Sequence, residues 1–440
     1  MNLLVSRQTR PLSGRVKVPG DKSIGHRAVI FGALASGHSN VFGLSGGEDN
    51  LRTVSALRSL GVHIRPIESG IQIDGVGIAG FKPARSEIDC GNSGTTIRLL
   101  SGLLAPCGFA TVLDGDQYLR RRPMGRIGKP LEQMGATIAG AAGKKPGEIY
   151  APLTITGGNL HGITYISEVA SAQVKTAILL AALAADGETS ITEPLRSRDH
   201  SERMLSALGA PLQVDGTTVR VRPASWDRKL ARFELRVPGD FSSAAFLLAA
   251  ATLVEGSDVT VEAVGINPTR TGFVDVLEKM GANISVENRR DENGEPIADL
   301  RARAAPLSSI DIAGELSLRA IDELPLIAAV AACANGDIRI RDAAELRVKE
   351  SDRVAATATM LRSFGAECEE HDDGLTIHGG TPLVAGVVPS HGDHRIAMAG
   401  AILALRAEGN STIEDTANIA TSFPNFVELL RTLGASLQSS

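Results

Sequence analysis

Aromatic residues are scarce: one Trp, three Tyr and eleven Phe make up 3% of 440 residues. Base-stacking platforms need aromatic faces, so they are excluded, and the core has to be packed from Ala, Leu, Ile and Val. Excess positive charge is missing as well. The formal net charge is −5, so no global basic field draws in nucleic acid, and any anion site has to be a local cluster of Lys and Arg. The cysteines Cys90, Cys107, Cys333 and Cys368 include no C-x-x-C pair. They read as reduced, mostly buried thiols, not as disulfides or a zinc site. Long apolar runs are absent: Ala177–Ala185 spans nine residues, about half of what a membrane helix needs. The opening MNLLVSRQTR lacks the apolar stretch of a secretory signal. A cytoplasmic protein with no membrane contact is expected.

What is abundant is repetition. A helix-end signature, Leu-x-x-(Leu/Met/Phe)-Gly-(Ala/Val), recurs six times, at Gly61, Gly135, Gly209, Gly281, Gly365 and Gly434. Each glycine follows an amphipathic pattern such as LEKMG and precedes an alternating one such as ANISVE. Helix, glycine cap, then strand is the physical reading. A second helix type interleaves with the first: TTIRLLSGLLA, SAQVKTAILLAALAA, SSAAFLLAAATLV, LPLIAAVAACA, HRIAMAGAILAL and SIGHRAVIFGALAS are apolar nearly all round. Such helices are buried. The chain therefore reads as six copies of an α/β unit, each with one buried and one amphipathic helix. The halves echo each other, since Val18-Pro-Gly-Asp-Lys-Ser23 returns as Val237-Pro-Gly-Asp-Phe-Ser242. Two similar three-unit domains follow, one over 20–237 and one over 1–19 plus 238–440, with the N-terminal strand joining the C-terminal half.

The buried helices begin near polar residues: Ser23, Gly94-Thr95, Ser171, Ser242, Asp322 and Asp393. Helix N-termini present unsatisfied N–H groups and partial positive charge, so several of them together suit phosphates and carboxylates; any one alone reads first as a plain N-cap. Lys22, Arg27, Arg98, Lys175 and Arg395 lie at or inside these starts, and Arg120-Arg121-Arg122, Arg198 and the run Arg347–Arg353 lie in loops. A cation in an apolar helix is either a clamp on an anionic ligand or half of a buried ion pair. Gly75–Gly80 matches G-x-G-x-x-G, but no helix follows and it reads as a turn. Gly43–Gly47 matches G-x-S-x-G without a triad order. His391, Asp393, His394, Asp199 and His200 lack further ligands at metal spacing, so capping or orienting roles are expected. No Walker sequence is present, and ATP is not expected.

Several longer segments resemble one family. Pro19-Gly-Asp-Lys-Ser-Ile-Gly-His-Arg27, Gly91-Asn-Ser-Gly-Thr95 with Arg98, Arg122-Pro-Met124, Ser171-Ala-Gln-Val-Lys175, Arg347-Val-Lys-Glu-Ser-Asp-Arg353, Asp393-His-Arg395 and Thr421-Ser-Phe-Pro424 are similar, in order, to signatures of the 5-enolpyruvylshikimate-3-phosphate (EPSP) synthase family. The resemblance runs from Lys17 to about Leu433. It implies an α/β fold of two domains, each with three βαβαββ units, and an active site in the cleft between them. It implies transfer of the enolpyruvyl group of phosphoenolpyruvate to shikimate 3-phosphate, with no metal and no organic cofactor, and inhibition by glyphosate; a monomer is expected because two domains already bury the apolar helices.

The resemblance also implies roles. Lys22, Ser23, Arg27, Ser171, Ala172, Gln173, Arg198, Asp322 and Lys349 would contact shikimate 3-phosphate, with Arg27 on its carboxylate and Ser171 and Arg198 on its phosphate. Lys22, Gly94, Arg122, Gln173, Arg353 and Arg395 would contact phosphoenolpyruvate. Asp322 would be the base for the 5-hydroxyl and Glu350 the acid for the methylene carbon, with Lys22 and Lys349 sharing charge and protons. Asp322 stays open as an N-cap, and Glu350 as an ion-pair partner of Arg353. Three departures stand out: Gly25 where Ser is usual, Ser167-Glu168-Val169 before the Ser171 motif, and Thr421 where many members carry Lys. UDP-N-acetylglucosamine enolpyruvyl transferase is the alternative within this architecture, but Ser23 follows Lys22 where that relative wants Asn. A non-catalytic anion-binding or RNA-end-processing repeat protein is a third reading; the RNA version needs a basic surface, which the net charge disfavours.

Overall fold

A computed structural model describes residues 1–143, 148–292 and 294–439. Two compact units emerge. One comprises Gly20–Val237 with Glu292–Glu295; the composite unit comprises Met1–Pro19, Pro238–Asp291 and Pro296–Ser440. Among the described residues there are six four-stranded sheets, three in each unit.

One repeat shows the order of elements. Strand Ile88–Asp89, helix Gly94–Leu104, strand Ala110–Asp114, helix Gly125–Gln133 and strands Thr137–Ala142 and Ile149–Thr156 follow one another. The first strand runs parallel to the second, with Ile88 opposite Leu113. The last strand lies antiparallel between the second and third, with Thr156 opposite both Ala110 and Thr137. This is the βαβαββ unit. In the composite unit the N-terminal strand Leu3–Ser6 pairs antiparallel with Asn410–Glu414 and Leu437–Ser439, so both chain ends share a sheet.

The six signature glycines all adopt positive φ, from 76° at Gly365 to 110° at Gly135. A side chain would strain that left-handed turn, which is why glycine closes each amphipathic helix. The apolar helices Lys22–Leu34, Gly94–Leu104, Ala172–Ala182, Phe241–Leu253, Leu324–Ala332 and His394–Ala404 form the centres of the two cores. Phe241–Leu253 buries every residue from Phe241 to Thr252, as expected of a helix apolar on all sides. Gly75–Gly80 leaves its strand as a turn. Among the described residues no helix is long and apolar enough to cross a membrane.

The helix starts differ from the sequence reading in detail. The capping side chains are Asp21, Ser93, Ser171, Asp240 and Asp393, so Ser23, Thr95 and Ser242 fall inside the first turn. A short acceptor reaches forward to N–H groups two or three residues on, which places the cap ahead of the first polar helical residue. The fifth helix starts at Leu324 after Glu323, with Pro325 in its first turn, where a missing N–H costs nothing. Asp322 therefore precedes the cap and is not one.

Candidate functional site

In the 20–237 unit, two buried helices and the loop carrying Arg122 bring motif residues into one cluster. Arg98 Nη1 donates to Gln173 Oε1 at 2.6 Å, and Gln173 Nε2 donates to Thr95 Oγ1 at 2.9 Å. Arg122, almost fully buried, donates to Asn92 Oδ1. A methyl at Gly94 would lie 2.7 Å from Arg122 Nη1 and 3.2 Å from Arg98 Nη1. A side chain there would have to displace the ends of two guanidinium groups that crowd the helix start. Lys22 Nζ lies 3.0 Å from Asp49 Oδ2.

Arg27 is turned into the protein. Its Nε donates to Ser201 Oγ at 2.7 Å, Nη1 to the Ser23 carbonyl at 2.9 Å and Nη2 to Thr176 Oγ1 at 2.9 Å. Burial pulls its pKa down to about 10, the carboxylates of Glu202 and Asp21 oppose that fall, and the Arg198 charge adds to it. Arg198 itself is half-buried between strand Thr189–Thr192 and helix His200–Ala207. Ser171 caps helix Ala172–Ala182, and its own N–H donates to Glu193 Oε1 at 2.9 Å. Lys175, one turn on, is a buried ion-pair partner: its Nζ is 2.7 Å from both Glu193 and Glu202. Glu168 is exposed, and nothing in the structure explains its place in the motif.

In the composite unit the centre is Asp322. Its carboxylate lies 3.4 Å from Arg353 Nη1, 3.8 Å from Arg270 Nη1, 3.8 Å from Arg395 Nη2 and 3.9 Å from Lys349 Nζ. Arg353 is held on its other edges by Asp393 at 2.8 Å and Glu350 at 2.6 Å. Burial works against the Arg353 charge, but Asp393, Glu350 and Asp322 outweigh it and raise its pKa above the ordinary guanidinium value. Burial pushes the Asp393 carboxyl up, yet Arg353 brings it below the usual carboxylate range. Lys349 is lowered by burial, with Asp322 opposing and Arg353 reinforcing the shift. Arg395 Nη1 donates to the Asp322 carbonyl at 2.8 Å and to Glu323 Oε1 at 3.2 Å. Thr421 Oγ1 donates to the Asn418 carbonyl at 2.7 Å.

Asp322, Lys349, Glu350, Arg353 and Arg395 are thus brought together, as are Gly94, Arg98, Arg122 and Gln173. Three further buried groups belong to the Asp322 cluster. Ser242 donates to Glu323 and accepts from Arg270 Nη2 at 2.9 Å, and both Arg270 and Glu323 are almost wholly buried. Arg270, in Asn-Pro-Thr-Arg, carries no local signal, and Glu323 none beyond polarity beside an apolar helix. Three arginines and one lysine within 4.0 Å of the Asp322 carboxylate suit the binding of a small anion and a proton transfer beside it.

The fold places the chain in a class. It superposes on the enolpyruvyl transferase NikO from Streptomyces tendae with a TM-score of 0.80 over 100% of this chain and 99% of that one, at 19% identity. EPSP synthase from Acinetobacter baumannii superposes with a TM-score of 0.87 at 44% identity, over 100% of this chain and 99% of its own. The 3-phosphoshikimate 1-carboxyvinyltransferase of Geotalea uraniireducens is 49% identical over 98% of this chain and 99% of its own. The protein of that name from Acidithiobacillus ferrooxidans (strain ATCC 53993 / BNL-5-31) is 52% identical over 97% and 96%. Residues 6–430 match the family described as EPSP synthase (3-phosphoshikimate 1-carboxyvinyltransferase). The chain belongs to the EPSP synthase family, and is an enzyme of enolpyruvyl transferase fold.

Proposed function

We propose that the chain transfers the enolpyruvyl group of phosphoenolpyruvate to the 5-hydroxyl of shikimate 3-phosphate and releases inorganic phosphate. Membership of the EPSP synthase family favours this over the UDP-N-acetylglucosamine reaction. The observation that carries the chemistry is Asp322, a carboxylate with four cationic side chains within 4.0 Å.

Each substrate carries a carboxylate and a phosphate, and two such anions repel unless cations screen them; at 4 Å one charge pair is worth about 4 kcal/mol at an effective ε near 20. Shikimate 3-phosphate is assigned to Lys22, Ser23, Arg27, Ser171, Ala172, Gln173 and Arg198, with Asp322 and Lys349 at its reacting hydroxyl. Phosphoenolpyruvate is assigned to Lys22, the Gly94 N–H, Arg122, Gln173, Arg353 and Arg395. Asp322 takes the 5-hydroxyl proton as oxygen attacks the enol carbon, while Glu350 gives a proton to the methylene carbon. The tetrahedral ketal then loses a methyl proton and expels phosphate. Glu350 Oε2 accepts from Arg353 Nη2 at 2.6 Å, a bond that favours the ionised carboxylate and works against the protonated donor form. The lowered Lys349 pKa suits an ammonium that gives and retakes a proton. The chain acts as a monomer in the cytoplasm, and glyphosate competes for the phosphoenolpyruvate groups.

The protein mixed with phosphoenolpyruvate and shikimate 3-phosphate is expected to release phosphate, and with UDP-N-acetylglucosamine it is not; the reverse outcome overturns the reading. Asp322→Asn is expected to lower kcat by ~10²–10⁴-fold in a protein with an unchanged circular dichroism spectrum. Full turnover by that variant removes Asp322 as the base.

A further inference from the structure

We propose that Glu193 is a positioning residue for the phosphate end of shikimate 3-phosphate: its buried carboxylate fixes, relative to each other, the backbone segments at Ser171 and at Ser197–Arg198. The proposal rests on the assignment of that phosphate to Ser171 and Arg198.

Glu193 directly follows strand Thr189–Thr192 and is 3% exposed. Its Oε1 accepts from the Ser171 N–H at 2.9 Å. Its Oε2 accepts from Lys175 Nζ at 2.7 Å, from Ser197 Oγ at 2.9 Å and from the Ser197 N–H at 3.3 Å. Those four bonds match the acceptor capacity of one carboxylate. Two of the donors are main-chain groups in separate stretches of chain. Ser171 is the cap of helix Ala172–Ala182, and Ser197 directly precedes Arg198. A single side chain therefore sets where both phosphate contacts start.

The charges support the same reading. Lys175, 1% exposed, lies 2.7 Å from Glu202 as well as from Glu193, and its Nζ reaches the Ser197 carbonyl at 3.5 Å. Burying two carboxylates and one ammonium is expensive, and apolar residues of equal volume often hold a core better. Packing alone thus does not account for the cluster. A bare carboxylate behind a phosphate subsite would repel the ligand; Lys175, shared with Glu202, screens the Glu193 charge and leaves its geometric effect.

Glu193→Gln tests this. The amide keeps one acceptor but turns N–H groups toward the donors of Ser197 or Ser171, releasing one segment, while Lys175 keeps Glu202. Misplacement of binding groups by about an ångström costs up to ~10²-fold. The expected result is a KM for shikimate 3-phosphate raised ~10-fold or more, with kcat and the KM for phosphoenolpyruvate within ~2-fold. Ser197→Ala, which removes one side-chain hydrogen bond and is easily accommodated, is expected to raise the same KM by a smaller factor. Thermal unfolding of each variant establishes that it is folded. An unchanged KM for shikimate 3-phosphate in both folded variants, or an equal rise in both KM values, overturns the role of Glu193. Ser171→Ala separates the two ideas: if it leaves that KM unchanged, the phosphate assignment itself fails.

Discussion

Single residues decide how the anion clusters are built, and Gly94 is the clearest case. With Arg122 Nη1 2.7 Å and Arg98 Nη1 3.2 Å from the position of a β-carbon, an alanine has to push the Arg122 guanidinium aside. Gly94→Ala is expected to raise the KM for phosphoenolpyruvate ~10-fold and to raise the glyphosate concentration for half-inhibition, both read from phosphate-release kinetics. An unchanged inhibition curve contradicts the assignment of Gly94 and Arg122. At this scale the motifs named many of the charged groups, because clusters such as Arg347–Arg353 are contiguous in the chain. The partners were not legible. Asp49 beside Lys22, Asn92 on Arg122 and Arg270 beside Asp322 come from other elements, and only packing brings them there. The two readings of Asp322 were separable only in three dimensions, where the helix starts two residues later, at Leu324.

At the scale of elements, the helix–glycine–strand junctions carry the repeat. Gly209 has φ 86° and open space where a β-carbon would stand, so Gly209→Ala isolates backbone strain from steric clash. It is expected to lower stability by about 1–2 kcal/mol, measured by urea unfolding, with kcat unaffected. Strand pairing offers a pH test. Asp258 lies opposite Arg303 and receives hydrogen bonds from Arg301 at 2.7 and 2.6 Å and from Arg303 at 3.1 Å. The Arg301 bonds, with help from Arg303, bring its pKa down to about 2. A carboxyl that ionises more easily in the folded chain than in the unfolded one stabilises the fold above the unfolded pKa, about 3.9. That contribution is lost as pH falls toward the folded value. The gap in urea midpoint between the protein and Asp258→Asn is expected to stay constant above about pH 5 and to narrow between about pH 4 and pH 3. A gap that widens on acidification contradicts the clamp.

Over the whole molecule, the low aromatic content is answered by six small-residue helices set in two separate cores, one per unit. The cysteines are part of that packing. Burial raises all four thiols, to about 11 for Cys107 and Cys333. Thiolate is the reactive form, so a disulfide reagent at about pH 8 is expected to modify the native protein slowly at every site and to count all four thiols at once after denaturation. Fast reaction of Cys90 or Cys107, the two buried thiols, contradicts this packing. The sequence by itself determined the α/β class, the six repeats and the family, because glycine at a left-handed turn, apolar periodicity and contiguous motifs are local properties of the chain. Only the tertiary structure decided which cation faces which carboxylate. It turned Arg27 onto Ser201 and Thr176, shared Lys175 between two glutamates and gathered four cations around Asp322. Those pairings depend on the packing of helices and loops far apart in sequence, which no local pattern records.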